Sequence, residues 1–300
     1  MEKEEVAYLG PKGTFGWRAA SSSSHVKMIP YNSHAKVIQA VVDGKAERGF
    51  IAWENSITGI VIDTADPLTT GSIGSSIGIR MHRDEDKVVY SPTSAMVCGE
   101  TVIPITQCLY GRKGQKSEIK KVYSHPQGLA QCVEFIAKRF PQAQLVPANS
   151  TVGGVEKLCE DAEAVAIAPP WAKDFYPEAV LMEEGVQDQK DNTTRFLAIG
   201  KEDCRPTGDD KTSIYFQVPG DERPGSLVRV LQILAAVDIN MRLIESRPTK
   251  TQLGRYGFIV DIDGHRNDCT IRYTLEFIVG VKIVTMLKVL GSYPRWRNGV

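Results

Sequence analysis

The stretch from Lys201 to Lys211 (KEDCRPTGDDK) constrains the fold more than any other, because the apolar pattern differs on its two sides. Its proline, glycine and charges suit a linker, with nothing to bury and no periodicity. Before it, short β-rich runs alternate with helix-like stretches, which predicts an α/β layer structure with mainly parallel strands. The expected strands are Val6 to Leu9, Arg48 to Trp53, Lys121 to Tyr123, Gln144 to Val146, Ala164 to Ala168 and Arg195 to Ile199. After it the order is strand (Thr212 to Val218), helix (Ser226 to Ala236), strand (Met241 to Ser246), strand (Tyr256 to Ile262), helix (Thr270 to Val279) and strand (Lys282 to Leu290). That βαββαβ order predicts a ferredoxin-like domain. The division places one unit over residues 1–203 and a second over 211–293.

Within the first unit, Leu129, Val133, Ile136 and Phe140 recur at helical spacing after Pro126, which predicts one helix from Gln127 to Phe140. Gly71 to Gly99 has a Gly/Ser-rich start and a charged cluster without a clear period. It reads as an irregular connection or a mobile flap near a cleft.

The 300 residues suffice for about two domains with a sizeable core. Lys+Arg and Asp+Glu number 36 each, so no electrostatic reason arises to expect nucleic acid or an anionic membrane as a partner. The acidic start runs directly into a strand-like segment, unlike a signal peptide, and no apolar run approaches the roughly 20 residues of a membrane span. The six cysteines show no CxxC or Cys/His ligand spacing. They read as reduced thiols of a cytoplasmic protein with no structural metal.

Several hydroxyl residues fall where a strand hands over to a helix: Thr14, Ser56, Ser124, Thr151 and Thr194. Each alone is explained by the preference of Ser and Thr for helix N-caps. Together, with Asn55, Asn192 and Arg195 beside them, they predict a cleft at the carboxyl edges of two sheets, where helix N–H groups favour a small dianion. The run Asp188-Gln-Lys-Asp-Asn192-Thr193-Thr194-Arg195-Phe196 carries the chemistry. A neutral hydroxyl flanked by a cation and an amide suits an anionic substrate whose leaving group is hydrogen-bonded rather than attacked. Arg195 is read either as a clamp on a substrate carboxylate or as an order-giving partner of Asp188. Phe196 reads as core by residue type. Glu54, repelled by a dianion, takes a structural role. His125, before a proline at a helix start, is a cap or an acid with its pKa lowered by the helix N-terminus. His25, His34, His82 and His265 read as surface or satisfied packing residues.

The words Gly10-Pro11-Lys12-Gly13-Thr14-Phe15, Glu54-Asn55-Ser56, Ser124-His125-Pro126-Gln127 and Asn192-Thr-Thr194-Arg195-Phe196, in this order, resemble prephenate dehydratase. Glu245-Ser246-Arg247-Pro248 and the ending Leu290-Gly-Ser-Tyr-Pro294 resemble the ACT regulatory module that follows in that family. The resemblance runs from about Val6 to Arg295. The chain departs from the family pattern at Gly16, where a small hydroxyl residue is usual, at Trp53, and in the glycine-rich Ser150-Thr151-Val-Gly-Gly154.

The resemblance implies a two-lobed catalytic part like the periplasmic solute-binding architecture, followed by a ferredoxin-like ACT domain. It implies decarboxylative dehydration of prephenate to phenylpyruvate without a cofactor, since aromatisation drives the reaction and the enzyme need only orient, desolvate and assist hydroxide departure. Thr194 and Arg195 are then catalytic, and Thr14, Asn55, Ser56, Ser124, Thr151, Asn192 and Phe196 bind substrate. It further implies L-phenylalanine as feedback inhibitor at Gly225, Ser226, Leu227, Val228, Asn240, Glu245, Ser246, Arg247 and Pro248, the last words alternatively pairing Glu245 with Arg247 at a dimer interface. A homodimer or homotetramer would cover the open sheet edges. The other readings are a prephenate decarboxylase or arogenate dehydratase on the same scaffold, and a non-catalytic amino-acid sensor.

Overall fold

A computed structural model describes residues 3–22, 26–85, 87–115, 117–219 and 224–297. His25 lies outside the described residues. The first lobe begins with β1 (Glu4–Leu9), α1 (Phe15–Ala20), β2 (Val26–Tyr31), α2 (His34–Val42), β3 (Arg48–Asn55) and β4 (Gly59–Ile60). It continues with α3 (Ile62–Thr69), α4 (Gly71–Ser75), β5 (Ile79–Asp84), β6 (Lys87–Pro92) and β7 (Met96–Pro104). The second lobe holds β8 (Cys108–Arg112), β9 (Lys121–Ser124), α5 (Pro126–Ala130), α6 (Val133–Arg139), β10 (Gln144–Pro147), α7 (Thr151–Glu160), β11 (Ala164–Ala168) and β12 (Ala179–Glu184). The chain returns to the first lobe as β13 (Thr193–Gly200). The C-terminal part comprises β14 (Asp210–Gln217), α8 (Ser226–Ala236), β15 (Met241–Pro248), β16 (Tyr256–Asp263), α9 (Cys269–Gly280) and β17 (Met286–Pro294). No helix among the described residues is long and apolar enough to cross a membrane.

The first-lobe sheet runs β2-β1-β3-β13-β7 with β4 on β3, and the second-lobe sheet runs β10-β9-β11-β8-β12. Three strands of each are parallel, whereas β13, β7, β8 and β12 pair antiparallel. The expectation of mainly parallel strands therefore holds only for the core of each sheet. Parallel neighbours need a long crossover, and strands that pass between the lobes have none. β2 escaped the sequence reading because Pro30 sits in it; as an edge strand it tolerates a proline.

The helix expected from Gln127 to Phe140 is broken at Gln131 and Cys132. Asp188 causes the break: its N–H donates to the Gln131 carbonyl, and its carboxylate accepts from the N–H groups of Glu134 and Phe135. A side chain from the returning segment thus caps a new helix start.

The Gly71–Gly99 segment is neither irregular nor a flap. It forms α4 and the β5–β6 hairpin, and β5 pairs with β17, giving the third sheet the order β15-β16-β14-β17-β5-β6. At Gly78, φ is +85° and an added Cβ would lie 2.3 Å from the Val289 carbonyl oxygen, so the hairpin enters this edge only through glycine. One face of the third sheet packs α8 and α9 against Ile214, Phe216, Val260 and Leu287. The opposite face sends Tyr215, Ile259, Leu290 and Tyr293 into the same core as Ile38, Ile51, Trp53 and Leu197 of the first lobe. First lobe and C-terminal sheet share one apolar interior.

Of the other histidines, His82 is exposed, and buried His265 is satisfied by the Cys204 carbonyl and the Asn267 N–H. His34 differs from expectation: it is 8% exposed, and its Nδ1 has no partner. Burial lowers its pKa from 6.5 to about 4, opposed by nearby Asp63. The unfolded chain then binds a proton that the native state resists between those values. This contribution to stability is fully present above pH 6.5 and is lost as pH falls toward 4. The complete loss amounts to about 3 kcal/mol. Urea unfolding of wild type and His34→Gln near pH 7 and near pH 4.5 should show the wild type losing most of this and the variant losing markedly less; parallel losses would refute the assignment.

Candidate active site

The two segments joining the lobes, 104–107 and 186–192, are hydrogen-bonded to each other through Ile105 N–H to the Asn192 carbonyl, Val186 N–H to the Gln107 carbonyl and Gln107 N–H to Gln187 Oε1. The candidate site grows from this hinge. β13 lies antiparallel to β3 with Thr194 opposite Asn55 and Arg195 opposite Glu54. The Asn55 Nδ2 donates to Asn192 Oδ1 at 2.7 Å, to Thr194 Oγ1 at 3.0 Å and to the Thr193 carbonyl at 3.1 Å. Its Oδ1 accepts from the N–H groups of Ile57 and Thr58 and from the Thr58 hydroxyl. Ser56 closes the arrangement, its Oγ accepting from Thr193 N–H at 3.0 Å.

Asn55 is thus held from every side, and the amide it presents to Thr194 fixes that hydroxyl as acceptor. Among the described residues, the Thr194 proton has no hydrogen-bond acceptor and the Asn192 Nδ2 has no partner. Two donors left unused at one buried point are costly unless something accepts them.

The remaining sites fall into separate groups. Thr14 caps α1: its Oγ accepts from Trp17 N–H and donates to the carbonyls of Leu9 and Pro11. The adjoining Gly13 is pressed on the second lobe, where an added Cβ would meet Phe175 at 2.9 Å and Val152 of α7 at 3.2 Å. Thr151 begins α7, whose N-cap is Ser150. Ser124 lies beneath that helix start, fully buried, its hydroxyl donating to the Ile167 carbonyl at 2.7 Å. The expectation that Ser124 touches substrate is corrected, since its proton is already committed. Phe196 is likewise corrected to core, packed with Tyr8, Phe50 and Ala198.

His125 caps α5, with Nδ1 accepting from Gln127 N–H, and burial lowers its pKa. The neutral ring does not suit a proton donor at that nitrogen. The unusual glycines have steric causes: a Cβ at Gly16 would lie 2.9 Å from the Leu9 carbonyl oxygen, and at Gly154 3.1 Å from the backbone of Tyr123 and Ser124. Trp53 is fully buried.

Arg195 takes neither of its expected roles. Adjacent strand residues point to opposite faces, so Arg195 leaves the sheet away from Thr194. Its Nε donates to Glu100 at 2.6 Å, Nη1 to Asp261 at 2.5 Å and to Glu54 at 3.3 Å, and Nη2 to the Tyr293 hydroxyl at 2.8 Å. Burial opposes its charge, and Tyr293, Asp261 and Glu100 outweigh this, holding the guanidinium pKa above its ordinary value. Four of its five N–H groups are engaged on this face, turned away from Thr194, so the guanidinium does not clamp a substrate carboxylate there, and Asp188 caps α6 instead. Glu54 has the structural role expected.

The sequence missed an aromatic seam between the lobes. Trp171 donates its indole N–H to the Gly13 carbonyl at 2.7 Å, Phe15 meets Trp171 edge-on, and Trp17 meets Phe175 the same way. Lys12 stands over Phe175 and Arg18 over Trp171. Only the placement of Trp171 after the end of β11 hinted at it, at the strand edge where α/β sheets build sites.

In the C-terminal part, Gly225 is exposed with φ of +80°, Ser226 is buried, Leu227 half-buried and Val228 exposed. Asn240 donates to Asp263. Along β15, Ser246 and Pro248 are exposed, while Arg247 faces the first lobe and binds Asp66 through Nε at 3.0 Å and Nη2 at 2.9 Å. The alternative pairing of Glu245 with Arg247 is replaced by this bond to α3.

Residues 6–204 match the sequence model of the family described as prephenate dehydratase, and residues 212–268 that of the ACT domain. The bifunctional chorismate mutase/prephenate dehydratase of Aquifex aeolicus is 35% identical over 98% of this chain and 74% of its own length. The prephenate dehydratase of Lactococcus lactis subsp. cremoris is 33% identical over 98% of this chain and 99% of its own. The crystal structure of prephenate dehydratase in complex with L-Phe from Arthrobacter aurescens superposes with a TM-score of 0.79 at 29% identity, covering 97% of this chain and 90% of that one. With an Asn55–Thr194 pair beside the hinge that joins the two lobes and a ferredoxin-like sheet behind the first, matched along nearly the whole length, the chain belongs to the prephenate dehydratase family.

Proposed function

We propose that this protein is a cytoplasmic prephenate dehydratase, converting prephenate to phenylpyruvate with loss of carbon dioxide and water, and inhibited by L-phenylalanine at its C-terminal domain. The observation that carries the reading is the Thr194 hydroxyl, which accepts from Asn55 and keeps its own proton for a bound group. Asn55 polarises that hydroxyl, and Thr194 donates to the departing ring oxygen as negative charge develops on it. A placed donor of this kind contributes about 3–4 kcal/mol at a transition state. The free Asn192 Nδ2 is a second donor at the same place.

With Arg195 committed elsewhere, the carboxylates fall to the N-terminal N–H groups of α7 beside Thr151 and to the rim cations Lys12 and Arg18. Thr14 and Ser56 orient these elements. The only carboxylate flanking Asn55 within its own word, Glu54, is engaged by Arg195 on the opposite face, which favours the keto acid over a substrate bearing an ammonium.

The regulatory reading assigns the dehydratase part to 1–203 and the effector domain to 211–293. The L-Phe complex of the Arthrobacter aurescens relative supports it, as does the exposed, left-handed Gly225 at the start of α8. Gly225 and the first turn of α8 through Val228, with Asn240 and the Glu245–Pro248 word, form the effector site in a homodimer or homotetramer. Phenylpyruvate formation from prephenate, followed with and without L-phenylalanine, tests both parts. Turnover suppressed by the amino acid is expected, and absence of turnover would overturn the proposal.

A further inference from the structure

We infer that Asp261 and Tyr293 of the C-terminal sheet are positioning residues for Thr194, acting through Arg195. This rests on the dehydratase reading above. Both halves of the Asn55–Thr194 pair have their chain neighbours, Glu54 and Arg195, in one buried ion cluster on the reverse face of the sheet. Three of the cluster's side chains belong to the C-terminal sheet: Asp261 on β16, Tyr293 on β17 and Ser213 on β14. Ser213 donates to Asp261 at 2.5 Å and lies 2.6 Å from the Tyr293 hydroxyl. Glu100 on β7 completes it, bound also by Lys211 of β14 and by the Trp296 N–H.

The guanidinium therefore has four rigid partners spread over two sheets, all but Glu54 deeply buried. A planar fork held this way has little freedom, and its backbone is the residue next to Thr194. Any shift of β16 or β17 relative to β7 must move Arg195 or break a charge pair in a buried place. A displacement of about 1 Å at a reacting group can cost on the order of a hundredfold in rate. The cluster is thus a covalent and hydrogen-bonded route from the domain proposed to bind the effector to the hydroxyl proposed to do the chemistry. Arg195 reaches the reaction without touching substrate.

The test uses the full chain with Tyr293→Phe, which removes one hydroxyl and keeps the packing, and Asp261→Asn as the stronger variant. Tyr293→Phe is expected to lower kcat by about tenfold with KM little changed, to weaken inhibition by L-phenylalanine, and to speed amide hydrogen exchange in a peptide spanning 193–197. Asp66→Asn is the control. It removes the charge that pairs with Arg247 and Lys250 across the domains and should lower thermal stability without altering kcat. Folded Tyr293→Phe with wild-type kcat, inhibition and exchange overturns the inference, as does an equal fall in kcat in the control. Should the wild type not turn over prephenate, the proposed function fails, while exchange at 193–197 still decides whether the cluster holds the strand.

Discussion

Thr194→Ala is expected to lower phenylpyruvate formation by about a hundredfold to a thousandfold, with KM for prephenate nearly unchanged. The hydroxyl is placed by a pairing in which every other bond of Asn55 survives the substitution: Asn192 Oδ1 and the Thr193 carbonyl still take its Nδ2, and Ile57 and Thr58 still donate to its Oδ1. The strand therefore persists and only the donor disappears. Thr194→Ser retains the donor and should keep most of the rate. Single-turnover kinetics separate the chemical step from product release, and melting temperatures confirm an intact fold. Wild-type turnover by the alanine variant would sink the assigned role, as would a loss confined to KM.

Gly291→Ala should produce the largest change in stability. β17 crosses β7 so closely at this point that an added Cβ would lie 1.9 Å from the Val97 carbonyl oxygen and within 3 Å of two more backbone atoms of Val97. All three atoms are backbone and none can swing aside, so the sheets must part. Over-packing of this kind costs about 3 kcal/mol or more, a fall in melting temperature of roughly 5–10 °C. Because Leu290 and Tyr293 share a core with Ile51, Trp53 and Leu197, first lobe and C-terminal sheet should weaken together in calorimetry. Gly280→Ala serves as the comparison, since an added Cβ there meets nothing within 4 Å and should change stability by less than about 0.5 kcal/mol. Equal melting temperatures for the two variants would contradict this account of the interface.

The two variants probe different depths of legibility. Thr194 and Asn55 were readable because their words name them, and their polar character beside apolar strand positions marks them as exceptions. Arg195 was misread although the needed signal was present. Strand alternation alone separates it from Thr194, since consecutive side chains cannot share a face. Ser124 and Phe196 were assigned to substrate by position in a motif, whereas their burial follows from which helix or strand covers them. His34 looked ordinary because no local pattern distinguishes a satisfied from an orphaned imidazole.

By itself the sequence determined the central strands of the two lobes and the ferredoxin-like pattern after the linker, and it offered the residues proposed to assist a leaving hydroxide. Periodicity and turn chemistry act over a few residues, so they survive in the linear text. Only the tertiary structure decided that Asn55 meets residues 137 and 139 positions away, that Asp188 splits a helix, and that the 79–92 hairpin joins the sheet of β17. It alone supplied Glu100, Asp261 and Tyr293 as the partners of Arg195. Each of these is a contact between distant segments, settled by competition among all the faces and charges available in the folded chain, and no local pattern encodes who wins.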